Sequence, residues 1–261
     1  MVDKRIINRR LELLGKEFET NSCGKCFIID YKGRNDVTVM FYDPVGVTKC
    51  SMYNLKTGVV SNPTYKNKYP TVYGVGVIGE GKYSPEKDNR IYKLWQSVLQ
   101  RGYDMAFKKR NPTYKDTEVC PEWLNFQNFA DWCYIQKFFD AKDDRGKSYT
   151  LDKDILVRGN KVYSPETCCF VPHIINCITI SCKKVRGNLP VGVHKHKECS
   201  KYSVNFKSEV YLGGFNTPEE AFQVYKNLKE ADIKDIAEVY LNKIDSKVYD
   251  KLTSWEVSID D

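Results

Sequence analysis

The stretch Tyr149–Asn176, which reads YTLDKDILVRGNKVYSPETCCFVPHIIN, decides how the chain is interpreted. The run Tyr149–Leu151 predicts a short strand, and a polar loop follows it. A second strand is expected to begin near either Tyr163 or Cys168. Pro172 predicts the start of a helix, because proline is favoured in the first helical turn. The predicted order is therefore strand, loop, strand, helix.

Two polar side chains stand at the ends of this layout. Asp152 ends the first predicted strand, and Asn176 lies on the predicted helix. Carboxylate and amide oxygens are ligands for hard cations such as Mg²⁺ and Mn²⁺. Asp152 and Asn176 are therefore candidate metal ligands.

This order of residues resembles the HNH endonucleases, which have the ββα-metal fold. Asp152 and Asn176 fall on the two metal-ligand positions of that family, and Asn160 falls near its loop asparagine. Lys153 stands where the family has its catalytic histidine, the general base that activates water. A lysine is protonated at neutral pH, so it suits a phosphate contact better than base catalysis. His173, one helical turn before Asn176, is a candidate replacement for that base.

The resemblance extends upstream and covers roughly residues 90 to 180. Its landmarks are Trp95 on a predicted helix, the segment Val119–Trp123, and the spaced aromatic residues Phe126 and Phe129. Phage HNH proteins carry similar landmarks. The resemblance implies a phage homing endonuclease or nickase, with Mg²⁺ or Mn²⁺ as the cofactor if it is active. It also implies residence in the cytoplasm of a bacterial host.

Composition is compatible with this interpretation. The chain has 261 residues, 41% of them hydrophobic, and a net charge of +7, which suits an acidic partner such as nucleic acid. No apolar run approaches the roughly 20 residues of a membrane span, so no membrane partner is expected. The ten cysteines are interpreted as reduced thiols of a cytosolic protein. The lone pair Cys23 and Cys26 is interpreted as a turn rather than a zinc site, since no second pair lies nearby.

The N-terminal residues 1–64 predict a small β-barrel-like domain. Three strand-like runs, Cys26–Tyr31, Val37–Tyr42 and Val47–Tyr53, are separated by turn signals. Residues 65–182 are expected to form a central domain of helices and the HNH-like ββα unit. Residues 183–261 form the third predicted domain, so the expected class is α+β.

The third predicted domain begins with the most basic stretch of the chain. Between positions 183 and 215 the sequence has seven lysines and arginines but only two acidic residues. Strands are predicted at Val191–His196, Lys201–Phe206 and Val210–Leu212, and Thr217–Glu220 is a capping box that starts a helix. The expected product is a three-stranded sheet with a helix packed on one face and a polar face open.

This module resembles the apetala-type domain of plant ethylene-response factors, which also occurs in phage homing endonucleases. The matching segments include Lys201–Val204, Leu212–Phe215 and Thr217–Ala221. In that fold, exposed strand residues contact DNA bases and phosphates. Together with one loop arginine, the candidate DNA-binding residues are Arg158, His194, Lys195, His196, Lys201, Ser203, Asn205, Lys207 and Tyr211.

Three functions remain open on the sequence. The first is a phage-type homing endonuclease in which a metal held by Asp152 and Asn176 assists phosphodiester cleavage, with Lys153 and His173 as the candidate catalytic residues. The second is a non-catalytic DNA-binding regulator or host-takeover factor on the same scaffold. The third is a protein-interaction module led by the N-terminal domain. The first two predict double-stranded DNA as the partner, and no small-molecule substrate is expected.

Overall fold

The computed structural model describes residues 4–179, 189–196, 201–207 and 210–259, with only the backbone at 210 and 211. The described chain is a mixed α+β structure. It divides into two compact units, residues 1–131 and 132–261. The domain boundaries predicted near residues 64 and 182 stay predictions. No helix in these described ranges combines the length and the apolar character needed to cross a membrane.

The first unit opens with a helix and a four-stranded antiparallel sheet of order β1-β2-β3-β4. The elements are α1 (Lys4–Leu13), β1 (Glu17–Thr20), β2 (Gly24–Gly33), β3 (Asp36–Phe41), β4 (Gly46–Cys50) and α2 (Met52–Lys56). Along β3 burial alternates, so Val37, Val39 and Phe41 all enter the core. Leu13 of α1 and Leu55 of α2 belong to the same core cluster.

The sequence predicted a barrel-like arrangement of these strands, and the observed sheet is different. Among the described residues each of β1 and β4 pairs on one side only, so the four strands form an open meander rather than a closed barrel. Four strands are too few to curl around a filled interior. The two short helices complete the core instead.

The rest of the first unit is largely helical. Its elements are α3 (Tyr65–Lys68), α4 (Asn89–Tyr103), α5 (Met105–Arg110), 3₁₀ turns at Pro112–Tyr114 and Pro121–Leu124, β5 (Glu118–Val119) and the start of α6 (Phe126–Ile135). The helix predicted from Asn89 to Tyr103 is confirmed. Trp95 is fully buried in it, and its indole Nε1 donates to the carbonyl of Trp123 at 2.6 Å. The Trp95 ring also lies 5.4 Å from that of Phe126. These aromatic residues are therefore core.

The second unit begins its β-structure with the stretch that opened the sequence analysis. Its elements are β6 (Thr150–Asp152), β7 (Val162–Tyr163), β8 (Cys169–Val171) and α7 (His173–Ile178). Both alternatives for the second strand occur, and β8 is the one that pairs antiparallel with β6, with Leu151 opposite Phe170. Pro172 is the N-cap of α7. The predicted order of elements is confirmed.

The second unit ends with a sheet of order β11-β10-β9 and two helices. The elements are β9 (Val193–Lys195), β10 (Tyr202–Phe206), β11 (Val210–Phe215), α8 (Pro218–Val239) and α9 (Ser246–Thr253). The helix α8 packs on all three strands. Its capping box is present: Thr217 Oγ1 accepts from the Glu220 N–H, and Glu220 Oε2 accepts from the Thr217 N–H. Val193, Val204 and Ala221 lie in the shared core.

Gly192 allows α8 to approach β9 closely. Its φ is +74°, and a Cβ built there lies 2.0 Å from the ring of Tyr225. Glycine meets both requirements because it has no side chain and tolerates the left-handed backbone.

Candidate functional site

Asp152 fixes the turn that follows β6. Its Oδ1 accepts the backbone N–H groups of Asp154 at 2.7 Å and Ile155 at 2.8 Å. Desolvation raises the pKa of the Asp152 carboxyl, against the opposing effect of these two hydrogen bonds. The second oxygen, Oδ2, has no hydrogen-bond partner in the described part of the chain. One oxygen therefore holds the loop, and the other is available to a ligand.

Lys153 points into the loop rather than into solvent. Only 7% of the residue is exposed. Its ammonium donates to Asp154 Oδ1 at 2.6 Å and to the Asn160 carbonyl at 2.7 Å, and it lies 5.9 Å from the centre of the Tyr163 ring. This geometry gives the side chain a structural contact and leaves it little surface with which to reach a phosphate.

Asn160 closes the same loop from the other side. Its side-chain Nδ2 donates to the carbonyls of Lys153 at 2.9 Å and Val162 at 2.6 Å, and its Oδ1 accepts the Val162 N–H at 3.1 Å. The loop asparagine is thus a backbone-ordering residue, as asparagine often is in turns.

The helix α7 carries the remaining candidates and packs against β6. Asn176 is half-buried, and its side chain has no hydrogen-bond partner among the residues described. His173 and Cys177 are exposed and adjacent, with His173 Nε2 3.4 Å from Cys177 Sγ. The two are one helical turn apart, so their contact is local.

The donor set can be tested against the expected Mg²⁺ or Mn²⁺. No cluster of three or more histidine, cysteine or acidic side chains suited to a metal occurs within the described ranges. Mg²⁺ is commonly held by one or two carboxylates, with waters and substrate phosphates completing its shell. Asp152 and Asn176 fit that chemistry only as a minimal pair of oxygen ligands.

The sheet β9–β11 has one face covered by α8 and one face open. On the open face, His194 is opposite Ser203, which is opposite Gly213 in the next strand. Ser203 is buried at 4% exposure, and its Oγ donates to the His194 carbonyl at 3.5 Å. Asn205 and His194 are exposed. The described side chains on this face, His194, Ser203 and Asn205, are therefore all polar.

The predicted basic residues of this sheet have different surroundings. Lys195 and His196 are exposed. Lys201 donates to Asn216 Oδ1 at 2.6 Å. Lys207 forms an ion pair with Asp232 of α8, so it lies toward the helix and not on the open face where alternation had placed it. Its φ of +53° explains this, since the strand alternation ends at that residue.

Tyr211 and Arg158 were also predicted to contact DNA. The backbone of Tyr211 is in β11 opposite Asn205, but its side chain lies outside the described residues, as do the basic residues at 183, 184, 186 and 197. The guanidinium of Arg158 lies 5.1 Å from the ring centre of Trp255 and donates to the Glu256 carbonyl at 2.5 Å. The guanidinium that was predicted to contact DNA is thus engaged by the C-terminal segment.

Comparison with known proteins gives no family model, no curated protein and no solved structure that matches this chain. The HNH and apetala-type resemblances therefore stay predictions.

Proposed function

We propose that the protein binds double-stranded DNA through the open face of the β9–β11 sheet. The observation that carries the proposal is the division of this sheet into two faces. The helix α8 packs on one face, while the described residues His194 and Asn205 are exposed on the other. A ribbon of antiparallel strands fits the major groove of B-form DNA.

The side chains on and beside this face supply both kinds of DNA contact. The Asn205 carboxamide can pair with the N6 and N7 edge of adenine. Lys201, which is exposed just before β10, suits a phosphate contact. Lys195 is paired with Tyr202 and alternates with buried Val193, so the register places it on the α8 side of the sheet. Each phosphate contact gives a salt dependence, since binding releases counterions from the DNA.

The test is fluorescence anisotropy with a labelled duplex, titrated at several salt concentrations. Lys201→Gln is expected to weaken binding and to lower the slope of log K against log salt by about 0.9, which is the value for one phosphate contact. The matched control is Lys226→Gln, which removes the same charge from α8, where Lys226 pairs with Glu230. Equal losses in the two variants, or no binding of wild type at low salt, would contradict the proposal.

Metal-dependent cleavage is the second candidate function. It rests on Oδ2 of Asp152, which has no partner within the described ranges, and on the packing of α7 against β6. The test is nicking of supercoiled plasmid with Mg²⁺ or Mn²⁺ by wild type, Asp152→Ala and Lys153→His. Because Lys153 is turned into its loop, where Asp154 and Asn160 hold its ammonium, we expect DNA binding without nicking by wild type. Nicking that is lost in Asp152→Ala would establish the nuclease instead.

A further inference from the structure

A cleft of about 360 Å³ lies within the second unit, between the segment 138–149 and the residues that follow α8. This volume is at the lower end of the range for small-molecule sites. Its lining residues are Phe138, Ala141, Lys142, Asp143, Asp144, Tyr149, Tyr240, Asn242 and Lys243. The lining combines aromatic rings with charged side chains of both signs.

Three aromatic side chains form the walls. The rings of Phe138 and Tyr149 are close to parallel, with an interplanar angle of 21° and centroids 6.4 Å apart. Tyr149 and Tyr240 are buried, at 5% and 8% exposure. The Tyr149 hydroxyl donates to the Lys243 carbonyl at 3.0 Å, which fixes its ring. Rigid aromatic surfaces of this kind stack on planar ligands and lose little entropy when they do so.

The charged groups of the cleft differ in how firmly they are held. Asp143 Oδ1 accepts the N–H groups of Arg145 at 3.0 Å and Lys147 at 2.9 Å, so its carboxylate is committed to the turn. Among the residues that the structure describes, Asp144 pairs with Lys243 alone, at 3.2 Å, and the two side chains are 74% and 50% exposed. An ion pair this exposed is weak, so a ligand can take over both partners.

We propose that this cleft binds a guanine base. Guanine presents two neighbouring donors, N1–H and the N2 amino group, which match the two oxygens of the Asp144 carboxylate. It also presents two acceptors, O6 and N7, which match the Lys243 ammonium. Adenine has an acceptor at N1 and would repel the carboxylate, while the pyrimidines lack the pair of donors. The planar ring stacks on half-buried Phe138, which the buried Tyr149 and Tyr240 support.

A free guanine nucleotide and an unstacked guanine of a nucleic acid share this base chemistry. Binding of either is independent of DNA binding by the β9–β11 sheet. Calorimetric titration of the full chain with GMP, AMP and IMP tests the base chemistry directly. GMP is expected to bind at least tenfold more tightly than AMP, because hydrogen bonds to a charged group discriminate by at least that much. IMP, which lacks the N2 amino group, is expected to fall between them.

Variants of the cleft test its location. Asp144→Asn, at an exposed position, is expected to weaken GMP binding about tenfold, because one donor–acceptor match is reversed. Phe138→Leu, which removes a stacking surface, is expected to weaken GMP and AMP together. The matched control Asp140→Asn, in the same segment but outside the cleft, is expected to bind GMP like wild type. The proposal is overturned if GMP does not bind at about 1 mM, if AMP binds equally well, or if both cleft variants bind GMP normally.

Competition then identifies the source of the base. If a single-stranded oligonucleotide with an unpaired guanine displaces GMP, while the same sequence in a duplex does not, the ligand is an unstacked base of a nucleic acid. If neither oligonucleotide displaces it, the ligand is a free guanine nucleotide. Both results support the guanine site.

Discussion

Replacing Lys153 with methionine tests whether this residue holds its loop together or contacts a phosphate. Methionine keeps the aliphatic packing but removes the ammonium that joins Asp154 and Asn160. The Asp154 side chain is 51% exposed, so water solvates it in the variant and the loss of its ion pair with Lys153 costs little stability. The Asn160 carbonyl loses a charged donor, which costs on the order of 1–3 kcal/mol. We therefore expect a loss of about 2 kcal/mol in the free energy of unfolding.

Urea unfolding followed by circular dichroism, together with amide exchange over residues 150–171, measures this loss. With ordinary slopes for denaturation in urea, 2 kcal/mol lowers the midpoint by about 1 M. The control is Lys161→Met, an exposed lysine in the same loop, for which a change within about 0.5 kcal/mol is expected. The reasoning is refuted if Lys153→Met is as stable as wild type. It is also refuted if the variant keeps its stability but lowers the salt slope of DNA binding by about 0.9, which would reveal a phosphate contact.

Other predictions follow from the packing of the second unit. Gly192→Ala places a methyl group against an aromatic ring of α8 and should lower the free energy of unfolding, measured by chemical denaturation, by about 3 kcal/mol. Gly146→Ala, which has a similar φ of +73° but open space around it, should lower it by about 1 kcal/mol. Thr217→Ala removes the N-cap bond of α8 and should cost about 1 kcal/mol in the same assay. Burial raises the pKa of Cys168 to about 12, so in native protein at pH 8 iodoacetamide should label exposed Cys177 and spare Cys168 by mass spectrometry. Since the unfolded chain ionises this thiol first, stability should fall between about pH 9 and 12.

Periodicity and capping predicted the elements well, because both signals are local. The helix at Asn89–Tyr103 carries its apolar face at helical spacing and has the predicted bounds. The helix α8 starts at Pro218 because Thr217 and Glu220 form the capping box that the sequence shows. The closure of a sheet is not local, and for that reason the barrel expected over residues 1–64 is an open meander among the described residues.

The candidate site was harder to predict, because its contacts join distant segments or depend on side-chain direction. Arg158 meets Glu256 across 98 positions, and no pattern near either residue indicates the contact. The cleft likewise brings Tyr149 to Lys243, 94 positions apart. Lys207 looked like part of an open strand face, but the backbone turns at that residue and directs its ammonium to Asp232.

The positions of Asp152 and Lys153 show that the candidate metal ligand and the candidate general base must be considered separately. Asp152 ends β6 with one carboxylate oxygen holding the turn and the other without a partner in the part of the chain that the structure describes, so it keeps the chemistry of a ligand. Lys153 turns into the loop, where its ammonium is satisfied by Asp154 and Asn160. A histidine at 153 would also point into the loop, and its shorter side chain could not reach both Asp154 and Asn160. Restoring the residue type of a general base would therefore not restore its position, which is why we propose binding without cleavage.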